Sequence, residues 1–165
     1  MLLFLAGLWL SCAYHPSERY PSPSSKYGSQ VAGADSLPLD PVLQERFKAE
    51  IRRFWQAPYV WGGASPQGTD CSGLVHIIYQ RAAGVDIPRL TGQLFDQGWP
   101  VPVQRLRFTD LVFFNMGQGR EPRHVGLYVD RGFFIHASVS SGVMLSRLSE
   151  SPYRESYLGA RRYLQ

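Results

Sequence analysis

A cysteine lies where a glycine-rich loop meets an apolar run with helical spacing, and this junction constrains the fold more than any other feature. The loop covers residues 59–68, and the junction reads Thr-Asp-Cys-Ser-Gly-Leu-Val at 69–75. Apolar residues then recur at helical intervals up to Gly84, a typical residue at a helix C-terminus. The sequence therefore predicts Cys71 in the first turn of a helix. Unpaired N–H groups and the helix dipole favour a thiolate there, so we expect the thiol pKa to lie below its free value of about 8.5.

Two histidines follow in segments rich in β-branched and aromatic residues. His124 opens the run His-Val-Gly-Leu-Tyr-Val, and His136 lies in Phe-Phe-Ile-His-Ala. The intervening Asp-Arg-Gly at 130–132 is typical of a hairpin turn, so we expect the two imidazoles to be close together on adjacent antiparallel strands. One histidine as base for Cys71 and a second to orient it make a Cys–His–His nucleophilic centre. The structural alternatives are an inert buried cysteine and a core histidine bonded to a backbone carbonyl.

Seven motifs of this chain resemble those of the NlpC family of bacterial cell-wall cysteine peptidases, in the family's order. They are Pro-Tyr-Val-Trp-Gly-Gly at 58–63, Thr-Asp-Cys-Ser-Gly-Leu at 69–74, Ile-Pro-Arg at 87–89, Asp-Leu-Val-Phe-Phe at 110–114, His-Val-Gly-Leu-Tyr at 124–128, Phe-Ile-His-Ala at 134–137 and Gly-Ala-Arg-Arg at 159–162. The resemblance implies a papain-like α+β fold, in which the cysteine-bearing helix packs on an antiparallel sheet that carries the histidines. It also implies hydrolysis of a peptide bond in peptidoglycan stem peptides or cross-links, through a thioester on Cys71.

The same resemblance suggests which residues contact the substrate. Tyr59 is expected beside the nucleophile, while Asp70 and Ser72 are expected to help hold the free amine or the stem peptide. Asp70 also suits the N-cap of the cysteine helix, and one carboxylate can serve both roles. Tyr59 has the alternative of a packed aromatic side chain. Four other aromatic residues are expected in the core rather than at the substrate: Trp61, Phe113, Phe114 and Phe134.

The remaining patterns predict the other elements and the domain boundaries. Asp40 followed by proline predicts the start of a first helix over about 41–55. About five antiparallel strands are predicted, at 110–115, 124–130, 132–138, 143–145 and 159–163. Residues 13–39 are rich in Ser, Pro, Gly and Tyr and predict a flexible linker. We therefore expect one peptidase domain over residues 40–165.

Residues 1–12 resemble the signal segment of a bacterial lipoprotein. An apolar stretch too short to span a bilayer ends in Ser11 and is followed by Cys12. The resemblance implies lipidation of Cys12 and a place in the cell envelope, with the protein anchored to the outer membrane and facing the periplasm. A simple secretory signal, which would release the protein, and an uncleaved amphiphilic tail are the alternatives.

Composition limits the range of partners. The net charge is +4, and the tightest basic groups, Arg52-Arg53 and Arg161-Arg162, are too short for a nucleic-acid-binding patch. A mildly basic surface suits an anionic polymer such as the cell wall, and a solvated surface without a partner is the alternative. We expect a monomer without a cofactor.

Metal binding is a competing interpretation of the same three side chains. Cys71, His124 and His136 could form a three-ligand zinc site, but the chain lacks the closely spaced ligand pairs that are typical of zinc enzymes. We therefore expect no metal.

The complete Cys–His–His set favours a cysteine endopeptidase. Two alternatives stay open: a surface-anchored module that binds peptidoglycan without cutting it, and a related Cys–His amidase or acyltransferase. The sequence does not determine which bond of the stem is cleaved.

Overall fold

The computed structural model describes residues 39–117 and 119–164. The expectations for the signal segment, for Cys12 and for linker residues 13–38 lie outside the described residues. In the described part, no helix is both long enough and apolar enough to cross a membrane. The elements are α1 (Pro41–Phe54), β1 (Ala64–Ser65), β2 (Gly68–Thr69), α2 (Cys71–Ala83), α3 (Thr91–Gln97), β3 (Trp99–Val101), a 3₁₀ turn (Val103–Arg105), β4 (Leu111–Phe114), β5 (His124–Asp130), β6 (Phe133–Ser138), β7 (Gly142–Arg147), α4 (Tyr153–Ser156) and β8 (Tyr157–Arg162).

The two long helices begin and end close to where their capping residues predict. Asp40 accepts the Leu43 N–H at 3.0 Å at the start of α1. Asp70 caps α2, and Gly84 ends it in the left-handed conformation at φ 69°. Helix α2 buries nearly its whole first turn as well as its apolar stripe. The predicted position of the cysteine at the helix N-terminus is thus confirmed.

A six-stranded antiparallel sheet, in the order β3-β8-β4-β5-β6-β7, forms the other half of the domain. The α+β class is confirmed, but the predicted number of about five strands is too low. The missed strand is β3, which pairs with β8 and contains Pro100. Proline cannot donate to a sheet and is tolerated at an edge, so this three-residue strand has no recognisable sequence pattern. A separate two-stranded hairpin, β1-β2, precedes α2.

The hairpin between β5 and β6 brings the two histidines to one face of the sheet. Arg131 and Gly132 both have positive φ, at 49° and 83°, as a tight two-residue hairpin turn requires. A register shift between Tyr128 and Asp130 then pairs Tyr128 with Phe134 and Leu127 with Ile135. When this register is continued along the strands, His124 lies diagonal to His136. Because both histidines are six residues from Asp130 in the sequence, a position directly opposite each other would have been the simpler expectation.

The sheet separates two apolar clusters. Helices α1 and α2 cover one face, against side chains that include Leu111, Phe113 and Val125. A smaller cluster around Phe114 and Phe134 lies on the other face. The predicted burial of Phe113, Phe114 and Phe134 is confirmed, since each is 0% exposed.

The predicted burial of Trp61 is wrong, because its side chain is 87% exposed. Trp61 lies on a turn that the Gly63 N–H closes onto the Val60 carbonyl at 3.0 Å. This turn projects at the rim of the cleft described below, away from both apolar clusters. A motif of aromatic and glycine residues does not by itself reveal on which side of a turn the ring lies.

Candidate active site

Asp70 connects the glycine-rich loop to the first turn of α2. Its Oδ1 accepts the Gly73 N–H at 2.6 Å, its Oδ2 accepts the Gly62 N–H at 2.7 Å, and Arg89 donates to both oxygens at 2.9 Å each. Burial acts to raise the pKa of Asp70, but these donors outweigh it and the net pKa is lowered, so the carboxylate is charged. The capping role of Asp70 is confirmed, while its contact with a substrate amine stays a prediction.

Arg89 is a site residue whose partners the sequence patterns do not reveal. Besides Asp70, its guanidinium donates to Ser72 Oγ at 2.8 Å and to the Gly63 carbonyl at 3.1 Å. A Cβ at Gly73 would collide with this guanidinium and with the Gly63 carbonyl, which explains the glycine in this turn. Ser72 is buried within the same network, so its direct contact with substrate also stays a prediction.

Cys71 lies at the start of α2, and the residue is 8% exposed. The expected lowering of its pKa is wrong for the thiol by itself, because burial raises the pKa and the charge of Asp70 adds to the effect. Hydrogen bonds to the sulfur from the Val125 N–H, the Thr91 hydroxyl and the Ser72 N–H act in the opposite direction. While the neighbouring imidazoles are neutral, the loss of hydration therefore raises the thiol pKa by more than the helix N-terminus lowers it.

The two predicted histidines are in direct contact. His124 Nε2 lies 2.9 Å from His136 Nδ1, and the rings are nearly perpendicular, at 87°. The expected proximity of the imidazoles is confirmed. Val125, whose N–H reaches the Cys71 sulfur, directly follows His124, and all three predicted catalytic residues line one cleft of about 790 Å³.

Two hydroxyl groups lie against the far ring nitrogen of His136 in the histidine pair. His136 Nε2 lies 2.9 Å from Ser146 Oγ and 3.2 Å from the Tyr153 hydroxyl. Each hydroxyl can donate or accept. In the tautomer with the His136 proton on Nε2, a hydroxyl accepts from Nε2 and the His136 Nδ1 accepts the Nε2–H of His124. The remaining nitrogen of His124, Nδ1, is then free to accept a proton. Sequence reasoning missed both hydroxyl residues, since Ser146 lies beyond the predicted strand 143–145 and Tyr153 in the unpredicted helix α4.

Burial keeps both histidines neutral at neutral pH. It lowers the pKa of His124 to about 4, and together with the nearby His124 it lowers the pKa of His136 to about 3. His136 is 1% exposed, so a charge on its ring would be poorly solvated. The resting cleft therefore holds a neutral thiol and two neutral imidazoles.

These lowered pKa values predict that the fold weakens in mild acid. The unfolded chain binds a proton on each histidine below about pH 6.5, whereas the folded chain does so only near pH 4 and pH 3. Stability is therefore highest above pH 6.5 and falls as the pH decreases. We expect a loss of about 1–2 kcal/mol per histidine between pH 7 and pH 5, measured by urea unfolding at several pH values.

A His136→Asn variant provides the comparison for this prediction. Asparagine keeps hydrogen-bonding capacity but cannot be protonated, so the variant should lose roughly half as much stability between pH 7 and pH 5. A wild-type free energy of unfolding that stays flat across this range would contradict the prediction.

The rest of the cleft supplies donors and apolar surface. Tyr59 lines it, and the pKa of its phenol is raised by burial and then by the negative charges of Cys71, when ionised, and of Asp70, so the phenol stays a hydrogen-bond donor. Asp70 and Ser72 line it as well. No group of three or more His, Cys, Asp or Glu side chains in the described residues is arranged to hold a metal ion.

A helix-borne thiol and a sheet-borne imidazole pair on one cleft define a papain-like α+β domain. The model of the NlpC/P60 family matches residues 56–162, which is more than half of the chain. The protein belongs to the NlpC/P60 family, so the resemblance noted in the sequence is confirmed.

Individual relatives agree with this assignment. The chain is 32% identical to the probable endopeptidase NlpC of Escherichia coli K12, over 98% of this chain and 97% of that protein. It is 40% identical to the E. coli K12 murein DD-endopeptidase MepS/murein LD-carboxypeptidase, over 64% of this chain and 55% of the relative. The crystal structure of an NlpC/P60 family protein from Bacillus cereus superposes with a TM-score of 0.68 at 34% identity, covering 79% of this chain and 43% of that one. The chain thus spans about half the length of the last two.

Proposed function

We propose that this protein is a cell-wall hydrolase that cleaves a peptide bond in peptidoglycan stem peptides or cross-links, with Cys71 as nucleophile. The observation that carries the proposal is the 2.9 Å contact between His124 and His136 in the cleft that also contains the Cys71 thiol. The endopeptidase names of the E. coli relatives support the reaction and the substrate class. A module that only binds peptidoglycan would have no need for this arrangement.

The first step creates two charges together. His124 Nδ1 takes the thiol proton as the sulfur attacks the scissile carbonyl carbon, so a thiolate and an imidazolium arise as a pair. Neither ion is favourable alone, because burial raises the pKa of Cys71 and lowers that of His124. Their mutual attraction at short range offsets part of this cost. We infer that substrate binding, which displaces water from the cleft, strengthens that attraction.

The start of α2 is suited to stabilise the tetrahedral intermediate. Asp70 already occupies the Gly73 N–H, but among the described residues the Cys71 N–H has no hydrogen-bond acceptor. This N–H and the Tyr59 hydroxyl are the donors that we assign to the oxyanion. Each such donor contributes about 3 kcal/mol in related reactions.

Collapse of the intermediate completes the acyl transfer. The C–N bond breaks, His124 gives its proton to the leaving amine, and the acyl group remains on sulfur as a thioester. Water, deprotonated by His124, then attacks the thioester carbon and releases the acid and the free thiol. Throughout the cycle His136 accepts the Nε2–H of His124, and Ser146 and Tyr153 hold His136 in the tautomer that permits this.

The cell envelope is the location that we propose. The lipoprotein-like segment that ends at Cys12 would hold the enzyme at the outer membrane, facing the periplasm, within reach of the wall. Secretion of a cleaved, unlipidated protein remains the alternative. The acyl chains would contribute about 0.8 kcal/mol per buried CH₂ group.

Incubation with defined muropeptides, followed by mass spectrometry, tests the proposed reaction. We expect two fragments whose masses sum to that of the substrate plus one water, with the cut at an amide bond inside the stem or cross-link. A cut between the sugar and the peptide would identify an amidase, and a product that carries an added amine would identify an acyltransferase. Intact substrate that remains bound to the protein would identify a binding module instead.

A further inference from the structure

Arg123 carries a charge that no other residue in the described part of the chain neutralises. It is exposed, it lines the cleft, and it directly precedes His124. Its backbone N–H donates to the Phe114 carbonyl at 2.9 Å, which fixes the main chain at this point. Its guanidinium makes no ion pair or hydrogen bond with residues 39–117 or 119–164. A cation held at the edge of a cleft by a fixed backbone is positioned to meet an anionic ligand.

The other charges of the cleft cancel. Asp70 and Arg89 form a two-pronged ion pair at 2.9 Å, and Asp70 is 7% exposed. His124 and His136 are neutral near pH 7, since burial lowers the pKa of each well below that value. No other Asp, Glu, Lys or Arg among the described residues lines the cleft. The lining therefore has one uncompensated positive charge, and this charge lies on Arg123.

The position of Arg123, directly before His124, indicates which end of the substrate its charge meets. In the proposed reaction His124 protonates the leaving amine, so the residue that is released with a free amine lies on the side of His124. We propose that Arg123 binds a carboxylate of that released residue and thereby selects substrates with an anionic leaving group. This inference rests on the proposed function. A guanidinium matches a carboxylate with two parallel N–H donors, a geometry that an ammonium group cannot reproduce.

The carboxylate can come from two places in such a residue. It can be the main-chain carboxylate of a terminal residue, or a carboxylate on the side chain of a residue within the peptide. Both present the same planar anion to the guanidinium. Three substrates with an identical acyl half distinguish them: one with only the terminal carboxylate, one with only the side-chain carboxylate, and one with both groups amidated.

The test compares kcat/KM for these three substrates in three proteins. We expect the wild type to prefer one carboxylate substrate over the fully amidated one by about tenfold or more, because a charge-assisted hydrogen bond contributes about 1.5–3 kcal/mol. In Arg123→Gln this preference should fall to less than about threefold. Arg131→Gln removes the same charge at the exposed hairpin turn, at the far end of strand β5, and should keep the wild-type preference. A wild-type enzyme that cleaves all three substrates equally well would overturn the inference and leave the proposed function intact.

A binding measurement keeps the inference testable if no substrate is cleaved, which would instead count against the proposed function. Calorimetric titration of Cys71→Ala with the same three peptides should show affinity about tenfold higher for one carboxylate peptide than for the amidated one. Adding Arg123→Gln to Cys71→Ala should remove that difference. Equal affinities for all three peptides in Cys71→Ala would overturn the role of Arg123 independently of catalysis.

Discussion

Replacing Cys71 with alanine is expected to lower kcat/KM for muropeptide cleavage by about 10⁴-fold or more, since no other group in the cleft can form the thioester. The Cys71 sulfur is the only cysteine sulfur in the described residues. The fold should survive, because alanine has high helix propensity and the lost volume is small, so stability should change by no more than about 1–2 kcal/mol. Mass spectrometry of the products and urea unfolding measure the two effects.

Cys12→Ala is the matched control for the nucleophile. It removes the other cysteine of the chain, in the N-terminal segment, and should leave cleavage of a soluble muropeptide within about twofold of the wild type. Retention of cell-wall binding by Cys71→Ala would show that the substrate still enters the cleft. Unchanged cleavage by Cys71→Ala would exclude the thiol mechanism and with it the proposed chemistry.

Replacing His124 with glutamine is expected to lower kcat/KM by about 10³-fold or more, because general base catalysis and protonation of the leaving amine are both lost. Glutamine can still hydrogen-bond to His136, so the neighbouring geometry is disturbed little. The residual rate should rise with pH, since the thiol must then ionise without a base and burial raises its pKa. A pH–rate profile of the variant distinguishes this from general damage to the site.

His76→Gln is the control for this second prediction. His76 lies on the same helix as Cys71, but its Nδ1 contacts the Ile87 carbonyl at 2.7 Å and it does not line the cleft. We expect activity within about threefold of the wild type. If His76→Gln and His124→Gln lost activity equally, the loss would reflect structural damage rather than removal of a base.

Much of the site could be predicted because its chemistry is coded in short segments. The cap at Asp70, the glycine at position 84 and the apolar spacing between them are local, and they placed Cys71 at the start of α2. The turn at 130–132 is equally local and predicted that the two imidazoles would meet. The diagonal placement of His124 and His136 depends on a register shift that the turn residues do not predict.

The errors and omissions share one cause, which is that they depend on contacts between distant segments. The sequence predicts Trp61 in the core, yet its turn projects at the rim of the cleft. Ser146 and Tyr153 contact His136 across 10 and 17 residues of chain, and neither stands out in its own segment. The sixth strand escaped prediction because a short edge strand that contains proline lacks the usual pattern.

The sequence by itself determined which groups are present and which elements carry them: a thiol at a helix N-terminus and two imidazoles on a hairpin. Local spacing is sufficient for this, since capping and hydrophobic periodicity act over a few residues. Only the tertiary structure decided the electrostatics of the site. It buried Cys71 and His136 and partly buried His124, which raised the pKa of the thiol and lowered those of the imidazoles. It also paired Asp70 with Arg89, which leaves Arg123 as the uncompensated charge of the cleft. Loss of hydration and close approach of charges depend on everything that packs around a group, and no single segment encodes them.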